Sequence, residues 1–247
     1  MMLRNSEELE ILKIGGKKLR VILRQLVVAA KPGATTLAID QLAEKLIKEA
    51  GGTSSFKNYG TPPFPAAICA SVNNEVVHGI PGAYQLKVGD IFTIDIGMWY
   101  QGLCTDTAIT VGVGKVSSEA KRLLKVTQES LAQGLKQLKT GKRIGDIGWA
   151  IQSYVEKKGF SVVRNLTGHG VGLAVHENPS VPNFGQPNTG ELLTEGMVLA
   201  IEPIISAGSW QIKTKNDQWT IITQDGSLAA HFEHTAVVTA KGPLIIT

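Results

Sequence analysis

Four carboxylates stand in stretches that otherwise have the composition of buried β-strands. Each lies at the edge of an apolar run, and they are Asp95, Asp106, Glu202 and Glu233. A buried carboxylate is costly unless it is paired or binds a metal. For any one of the four, a strand end, solvent contact or a salt bridge is an adequate explanation. Together they carry a charge of −4 with no lysine inside the same strands, so a divalent-metal site is the favoured interpretation.

Three of the five histidines lie between glycine or proline turns, and these are His78, His169 and His176. A single histidine is more often structural than functional, but three beside turns in a chain with a carboxylate cluster favour a functional role. His231 and His234 flank Glu233. Strand alternation is expected to point them away from Glu233 or towards a neighbouring pocket.

Oxygen ligands with at least one imidazole suit Mn, Fe, Co or Zn better than a structural zinc site, where cysteine would dominate. Two carboxylates can bridge two ions while the others cap them. Two ions about 3–4 Å apart can share one water, lower its pKa and polarise a carbonyl. The pattern therefore predicts hydrolytic chemistry.

The elements that must position these residues occur twice along the chain. Apolar residues recur at helical spacing over 6–30 and 35–50, and again over 118–138 and up to 159. An offset of 108 residues places Lys139 on Lys31. An offset of 107 places the apolar run ending at Glu202 on the run ending at Asp95.

We predict from this repeat an α+β fold in which one domain, 1–247, consists of two related halves, about 6–112 and 113–240. Each half would contribute two helices and part of a curved antiparallel sheet. Pseudo-symmetry between the halves then pairs the carboxylates, Asp95 with Glu202 and Asp106 with Glu233.

Composition narrows the class of protein further. The 247 residues are 43% hydrophobic and 19% charged, with a net charge of +4, which suits a sizeable core and excludes extensive disorder. The densest basic stretch, 13–24, alternates with apolar residues, so a solvated helix face is preferred to a nucleic-acid or ribosome contact. Two cysteines indicate a reducing compartment. Apolar runs are strand-sized and no signal peptide is evident, so we expect a soluble cytoplasmic protein without membrane contact.

The motifs that carry these residues resemble those of the type I methionine aminopeptidases over nearly the whole chain. The matching segments are 71–73, 78–81, 95–97, 105–107, 168–172, 176–177, 202–203 and 232–235. The resemblance implies the pita-bread fold, a pseudo-twofold α+β domain. It also implies removal of the initiator methionine from nascent polypeptides whose second residue is small.

Residue roles follow from the same resemblance. It implies that two divalent ions (Co, Mn, Fe or Zn) are held by Asp95, Asp106, His169, Glu202 and Glu233, with a monovalent cation as a further expectation. It implies that His78 and His176 contact the substrate and that His176 stabilises the tetrahedral intermediate, while Glu202 moves the proton. The methionine pocket is expected from Phe64, Cys69 and Trp219.

Partners are inferred in the same way. Nascent-chain N-termini are the expected substrates, transient ribosome association is a further expectation, and a monomer without specific nucleic-acid binding is expected. The short interval between Glu202 and Glu233 leaves no room for the insertion typical of type II enzymes. No Cys/His-rich N-terminal extension is present either, so the short bacterial form is expected.

Three features depart from the family pattern. Val175 stands where many relatives have a bulky aromatic residue, His231 where glutamine is usual, and the segment 59–64 is longer and richer in proline. Two rival functions stay open: an X-Pro aminopeptidase or prolidase of the same fold, normally a larger protein, and a non-catalytic binding protein that kept the fold. The first would cut Xaa-Pro peptides, and the second would lack metal ligands.

Overall fold

The computed structural model describes residues 1–3 and 5–247. Helices over this part of the chain come in two pairs. They are α1 (Ser6–Ala29), α2 (Thr36–Glu49), α3 (Ser118–Leu135) and α4 (Ile144–Lys157). None of them is long and apolar enough to cross a membrane.

Each helix begins where a polar side chain satisfies its free backbone amides. The side chains of Asn5, Thr35 and Ser117 accept hydrogen bonds from the third amide beyond them, starting α1, α2 and α3. At α4 the cap is reversed, because the Asp146 carboxylate accepts from the backbone amide of Arg143 at 2.8 Å. The four predicted helices are therefore confirmed.

Helices α2 and α4 are each followed by a glycine with positive φ. Gly51 and Gly159, which the repeat offset of 108 residues aligns, have φ +78° and +79°, a conformation that side chains with a Cβ rarely adopt. Helix α3 ends three residues before the predicted Leu138, because the amides of Gln137 and Leu138 turn back to carbonyls three positions earlier.

Fifteen strands are assigned over the described residues. They are β1 (Thr53–Ser54), β2 (Cys69–Val72), β3 (Glu75–Val77), β4 (Ile91–Tyr100), β5 (Leu103–Gly112), β6 (Ser161–Val162), β7 (Thr167–Gly170), β8 (Glu177–Pro182), β9 (Val198–Ile201), β10 (Ile204–Ser206), β11 (Ile212–Thr214), β12 (Ile221–Thr223), β13 (Ala229–His231), β14 (Glu233–Thr239) and β15 (Gly242–Ile245).

Nine of these strands form one antiparallel sheet in the order β1-β4-β5-β14-β9-β7-β8, with β15 beside β14 and β2 beside β4. Two three-stranded sheets, β13-β10-β6 and β11-β12-β3, lie at its margin. The long hairpin β4–β5 pairs over ten residues without a register shift, from Ile91 opposite Gly112 to Tyr100 opposite Leu103. It is the longest strand pairing among the described residues.

The helices cover one face of the sheet, each pair over its own part. Residues of α1 and α2 pack with Ile94 and Ile96 of β4. Residues of α3 and α4 pack with Leu199 and Ile201 of β9. Because successive side chains of a strand point to opposite faces, Asp95 between the two isoleucines must point to the face that the helices leave free.

Candidate active site

The register of the central strands brings the predicted metal ligands together. Ala108 of β5 lies opposite Asp95 of β4 on one side and opposite Glu233 of β14 on the other. Side chains directly opposite each other share a face and lie about 5 Å apart at Cβ, so the two carboxylates flank a residue with almost no side chain. Asp106 lies two residues before Ala108 on the same face.

The neighbouring strands add the other two predicted ligands. His169 of β7 lies opposite Ala200 of β9, and Glu202 follows β9 directly. The His169 Nε2 atom is 3.4 Å from Oε1 of Glu202. Ligand atoms of Asp106, His169 and Glu233 all lie within 4.8 Å of one another. All five side chains line one cavity of about 280 Å³, and none is more than 9% exposed.

Burial and mutual repulsion make this cluster costly while its carboxylates are ionised. Burial raises the pKa of Asp106 to about 7. The pKa values of Asp95, Glu202 and Glu233 are raised well above their usual range, first by burial and then by the charges of the neighbouring carboxylates. Nearby like charges and low solvation both favour the neutral acid.

The histidines of the cavity are held neutral for a related reason. Burial and the neighbouring His176 lower the pKa of His169 to about 4. The pKa of His78 is likewise lowered to about 4 by burial and by His176, and burial lowers the pKa of His176. A neutral imidazole keeps one nitrogen lone pair free for a metal or a hydrogen bond.

The donor set fits a divalent-metal centre. Oδ1 of Asp95 and Oε1 of Glu233 are buried without a hydrogen-bond partner among the described residues, a situation that is rare unless a ligand completes it. Nδ1 of His169 lies 2.9 Å from the Gly170 carbonyl oxygen, to which it donates. That bond leaves the Nε2 lone pair facing Glu202, as in a metal-binding histidine oriented by its second nitrogen.

The residues predicted for substrate binding line the same cavity, and they are Phe64, Cys69, His78, His176 and Trp219. Phe64 and Trp219 meet edge to face with centroids 5.2 Å apart, and His78 meets Trp219 at 6.0 Å. Cys69 is opposite Asp95 in the register of β2 and β4. The cavity therefore has an apolar, aromatic wall beside its carboxylate floor, although the roles of these residues stay predictions.

Two side chains of the cavity had no role in the sequence-based prediction. The Tyr59 hydroxyl lies 2.8 Å from Nδ1 of His176, and Tyr59 belongs to the unusual segment 59–64. Gly60 beside it packs on Trp219 so closely that an added Cβ would lie 2.6 Å from the indole. The unusual segment 59–64 thus forms one wall of the cavity. Its departure from the family pattern was the only feature of the sequence that could have indicated a role for Tyr59.

His231 is the second of these side chains. Its Nε2 lies 3.7 Å from both Glu202 Oε2 and Glu233 Oε2, and burial followed by His78 and His169 lowers its pKa to about 3. Of the two orientations expected for it, away from Glu233 or towards a neighbouring pocket, the structure has the second, since His231 lines the cavity and residues two apart on an extended chain share a face. His234 does point elsewhere, with Nδ1 3.5 Å from the Thr247 hydroxyl.

Val175, the third departure, is buried in the core that includes Phe64 and Cys69, but it does not line the cavity. An aliphatic side chain at this position therefore leaves the cavity wall intact. Its effect on the site passes through its packing neighbours.

A curved antiparallel sheet with helices on one face and buried carboxylates and a histidine on the other forms a candidate divalent-metal site. The chain belongs to metallopeptidase family M24, whose model matches residues 10–240. Membership of this family implies divalent metal ions.

Individual relatives show which members of this family the chain is similar to. The chain is 47% identical to a methionine aminopeptidase of Clostridium perfringens, over 100% of this chain and 98% of that one. The crystal structure of a methionine aminopeptidase from Thermotoga maritima matches with a TM-score of 0.97 at 42% identity, covering 100% of this chain and 99% of that one. The predicted pita-bread fold and the resemblance to methionine aminopeptidases are confirmed.

The fold is shared more widely than the sequence. An Xaa-Pro dipeptidase from Bacillus anthracis matches with a TM-score of 0.81 at 23% identity. The match extends over 100% of this chain but only 62% of that protein. At this identity the match shows the fold alone.

Proposed function

We propose that this protein is a methionine aminopeptidase that removes the initiator methionine from nascent polypeptides whose second residue is small. The observation that carries the proposal is the placement of a buried carboxylate–imidazole cluster directly beside an aromatic wall in one cavity of about 280 Å³. Full-length identity of 47% to a methionine aminopeptidase supports the same activity.

The proposed metal centre uses Asp95, Asp106, His169, Glu202 and Glu233 to hold two divalent ions, drawn from Co, Mn, Fe or Zn. When bound, such ions act as Lewis acids towards the scissile carbonyl and acidify a water. The proposed centre also explains selection for a chain end, because a free α-amine would offer its nitrogen lone pair to one of the ions, whereas the nitrogen of an internal peptide bond would not.

The side chains around the proposed centre orient the substrate and move its proton. The Tyr59 hydroxyl lies 2.8 Å from Nδ1 of His176. We assign the hydroxyl as the donor, which places the ring proton on Nε2, where it can be donated to the carbonyl oxygen as negative charge develops there. His78 offers a second neutral imidazole to the peptide. Glu202, whose pKa is raised by burial and by Asp95 and Asp106, can take a proton and deliver it to the leaving amine.

The methionine side chain is proposed to lie against Phe64 and Trp219, with Cys69 below them. These rings meet edge to face at 5.2 Å, an arrangement that fixes both and leaves an apolar surface for a thioether. A substrate with a charged first side chain would lose solvation there without a partner.

A peptide assay separates this proposal from its rivals. Protein loaded with Mn, Co or Fe is incubated with Met-Ala-Ser, Met-Lys-Ser and a Xaa-Pro peptide, and free amino acids are measured. We expect methionine from Met-Ala-Ser alone, no release by Glu202→Ala, and normal release by the matched control Glu195→Ala, whose side chain is exposed. Cleavage of only the Xaa-Pro peptide would favour the X-Pro peptidase, and absence of metal binding would favour a binding protein.

Finer parts of the proposal have their own measurements. Elemental analysis of protein purified without added metal identifies the ions and their number, and light scattering checks the expected monomer. Co-sedimentation with ribosomes at graded salt tests the expected transient association. A monovalent cation is tested by comparing metal-loaded activity in sodium, potassium and tetramethylammonium buffers, and fractionation tests the expected cytoplasmic location.

A further inference from the structure

His231 is a buried imidazole that the proposed reaction leaves without a task. Its side chain is 2% exposed, and neither Nδ1 nor Nε2 has a hydrogen-bond partner among the described residues. Buried polar atoms are nearly always partnered in folded proteins. An unpartnered imidazole at this depth therefore calls for a ligand.

The backbone holds this ring in one place. The Thr110 hydroxyl accepts from the His231 amide at 2.8 Å and donates to the His231 carbonyl at 2.8 Å. On the other side, His231 pairs with Ile204 in the register of β13 and β10. Both edges of the residue are fixed, so the side chain is aimed by the sheet itself.

The ring is aimed between two of the proposed metal ligands. Its Nε2 is 3.7 Å from Oε2 of Glu202 and 3.7 Å from Oε2 of Glu233, which is beyond hydrogen-bond distance. Two donors bound to one ion through bonds of about 2.1 Å are separated by roughly 3.0–3.6 Å for angles between about 90° and 120°. The two separations at His231 are 3.7 Å, about 0.1 Å beyond that range, so a small closing of the site around an ion brings them into shared coordination.

His169 lies beside the other oxygen of the same carboxylate. Its Nε2 is 3.4 Å from Oε1 of Glu202, the second oxygen of the group that His231 faces. The Glu202 carboxylate thus has one imidazole nitrogen near each of its two oxygens. Two imidazole nitrogens therefore lie beside Glu202, whereas the cross-strand neighbour of Asp95 is Cys69.

We propose that His231 is a sixth protein ligand of the metal centre, donating Nε2 to the ion that His169 and Glu202 hold. The inference rests on the proposed metallopeptidase function. A second imidazole in place of the glutamine usual in the type I family makes this position richer in nitrogen. It therefore favours Fe, Co or Zn over Mn there, because imidazole suits the former and oxygen ligands the latter.

The test counts histidine nitrogens on the bound ion. Metal-free protein labelled with ¹⁵N-histidine receives one equivalent of Co²⁺, and electron–nuclear double resonance counts the coupled imidazoles. We expect two coupled imidazoles in the wild type, one in His231→Gln, and two in the matched control His234→Gln. Calorimetric titration should show first-equivalent Co²⁺ affinity lowered about tenfold or more in His231→Gln, with the control unchanged.

Each outcome decides the inference. One coupled imidazole in the wild type overturns it, whether or not His231→Gln folds, because that count needs no variant. Equal counts in the wild type and His231→Gln overturn it too, even where affinity falls. If the wild type shows one coupled imidazole and still releases methionine from Met-Ala-Ser, only the role of His231 as a ligand is refuted. If the protein binds no Co²⁺, the proposed function is refuted as well.

Discussion

Replacing Asp106 by asparagine should stabilise the metal-free protein while removing its response to metal. Burial raises the pKa of this carboxylate from 3.8 to about 7. Folding at pH 8 therefore places an ionised carboxylate in surroundings that favour its neutral form. At about 1.4 kcal/mol per pKa unit, a shift of about three units costs on the order of 4 kcal/mol. The amide carries no charge and keeps an oxygen for the Thr107 amide, which donates to Asp106 Oδ1 at 2.9 Å.

The sign of the pH dependence follows from the raised pKa. The penalty is complete above the folded pKa of about 7, shrinks as the pH falls, and vanishes below the unfolded value of 3.8. The advantage of Asp106→Asn in free energy of unfolding should therefore fall from about 4 kcal/mol at pH 8 to about 2 kcal/mol at pH 5.5. Comparing variant and wild type at the same pH cancels the titration of the buried histidines.

Urea unfolding of chelator-treated proteins at both pH values measures this difference. Saturating Mn²⁺ is then added at pH 8, where the wild type should gain stability and the variant should gain far less. Asp40→Asn is the matched control, because Asp40 is also buried but its Oδ1 accepts from the Ala67 and Ile68 amides, away from the cluster. This control should keep the full response to Mn²⁺. An Asp106→Asn protein that is less stable than the metal-free wild type at pH 8, or an advantage that does not change with pH, would refute the reasoning.

Three further results are expected. Trp219→Ala removes the ring whose centroid lies 5.2 Å from that of Phe64. The KM for Met-Ala-Ser should rise about tenfold, because about one to two kcal/mol of apolar contact with the methionine side chain is lost. An unchanged KM would exclude a role of Trp219 in the methionine pocket. Tyr59→Phe removes the hydroxyl 2.8 Å from His176 Nδ1, and kcat should fall about three- to tenfold at nearly constant KM, the effect of one hydrogen bond; an equal loss in KM alone would contradict it. Chelation should lower Tm, and restoring Mn²⁺ to 100 times its Kd should return about 2.7 kcal/mol of stability, measured by calorimetry, with no effect expected from Ca²⁺ at the same concentration.

Much of the fold was predictable because the determining interactions are local. Helix starts need a capping side chain within three residues, and ends need a glycine free to adopt positive φ, so Thr35 and Gly33 identify the connection between α1 and α2. Strands such as β4 are apolar on both faces, which marked them as buried. The three-residue error at the end of α3 arose from a turn whose apolar Leu138 continues the helical spacing.

The candidate site was predictable where a polar residue contradicts its surroundings. A carboxylate between Ile94 and Ile96 violates the composition of a buried strand, and this made Asp95 detectable without any relative. His169 needed the glycine-rich context and the family resemblance. The two-residue period alone puts His231 beside Glu233, because only Phe232 separates β13 from β14.

Tyr59 could not have been found in the same way. It meets His176 across 117 positions of sequence, and no periodic pattern links a loop residue to a partner so far along the chain. Its position depends on Gly60 packing against Trp219, itself a contact between distant segments. Such contacts are set by the closing of the whole sheet, so local rules cannot supply them.

The charged cluster and the packing around it act on folding in opposite directions. Raised carboxylate pKa values mean that the metal-free site opposes folding near neutral pH, whereas the lowered histidine pKa values oppose it only below the usual imidazole pKa of 6.5. The ten-residue pairing of β4 with β5 and the helices packed behind Ile94 and Ile96 must offset that opposition before any ion arrives. A divalent ion relieves the same repulsion, so metal affinity and folding stability are linked through one set of charges. Substitutions that remove one of the carboxylate charges should therefore stabilise the metal-free fold and lower metal-dependent activity. This trade-off is expected wherever a functional site brings like charges together in a buried place.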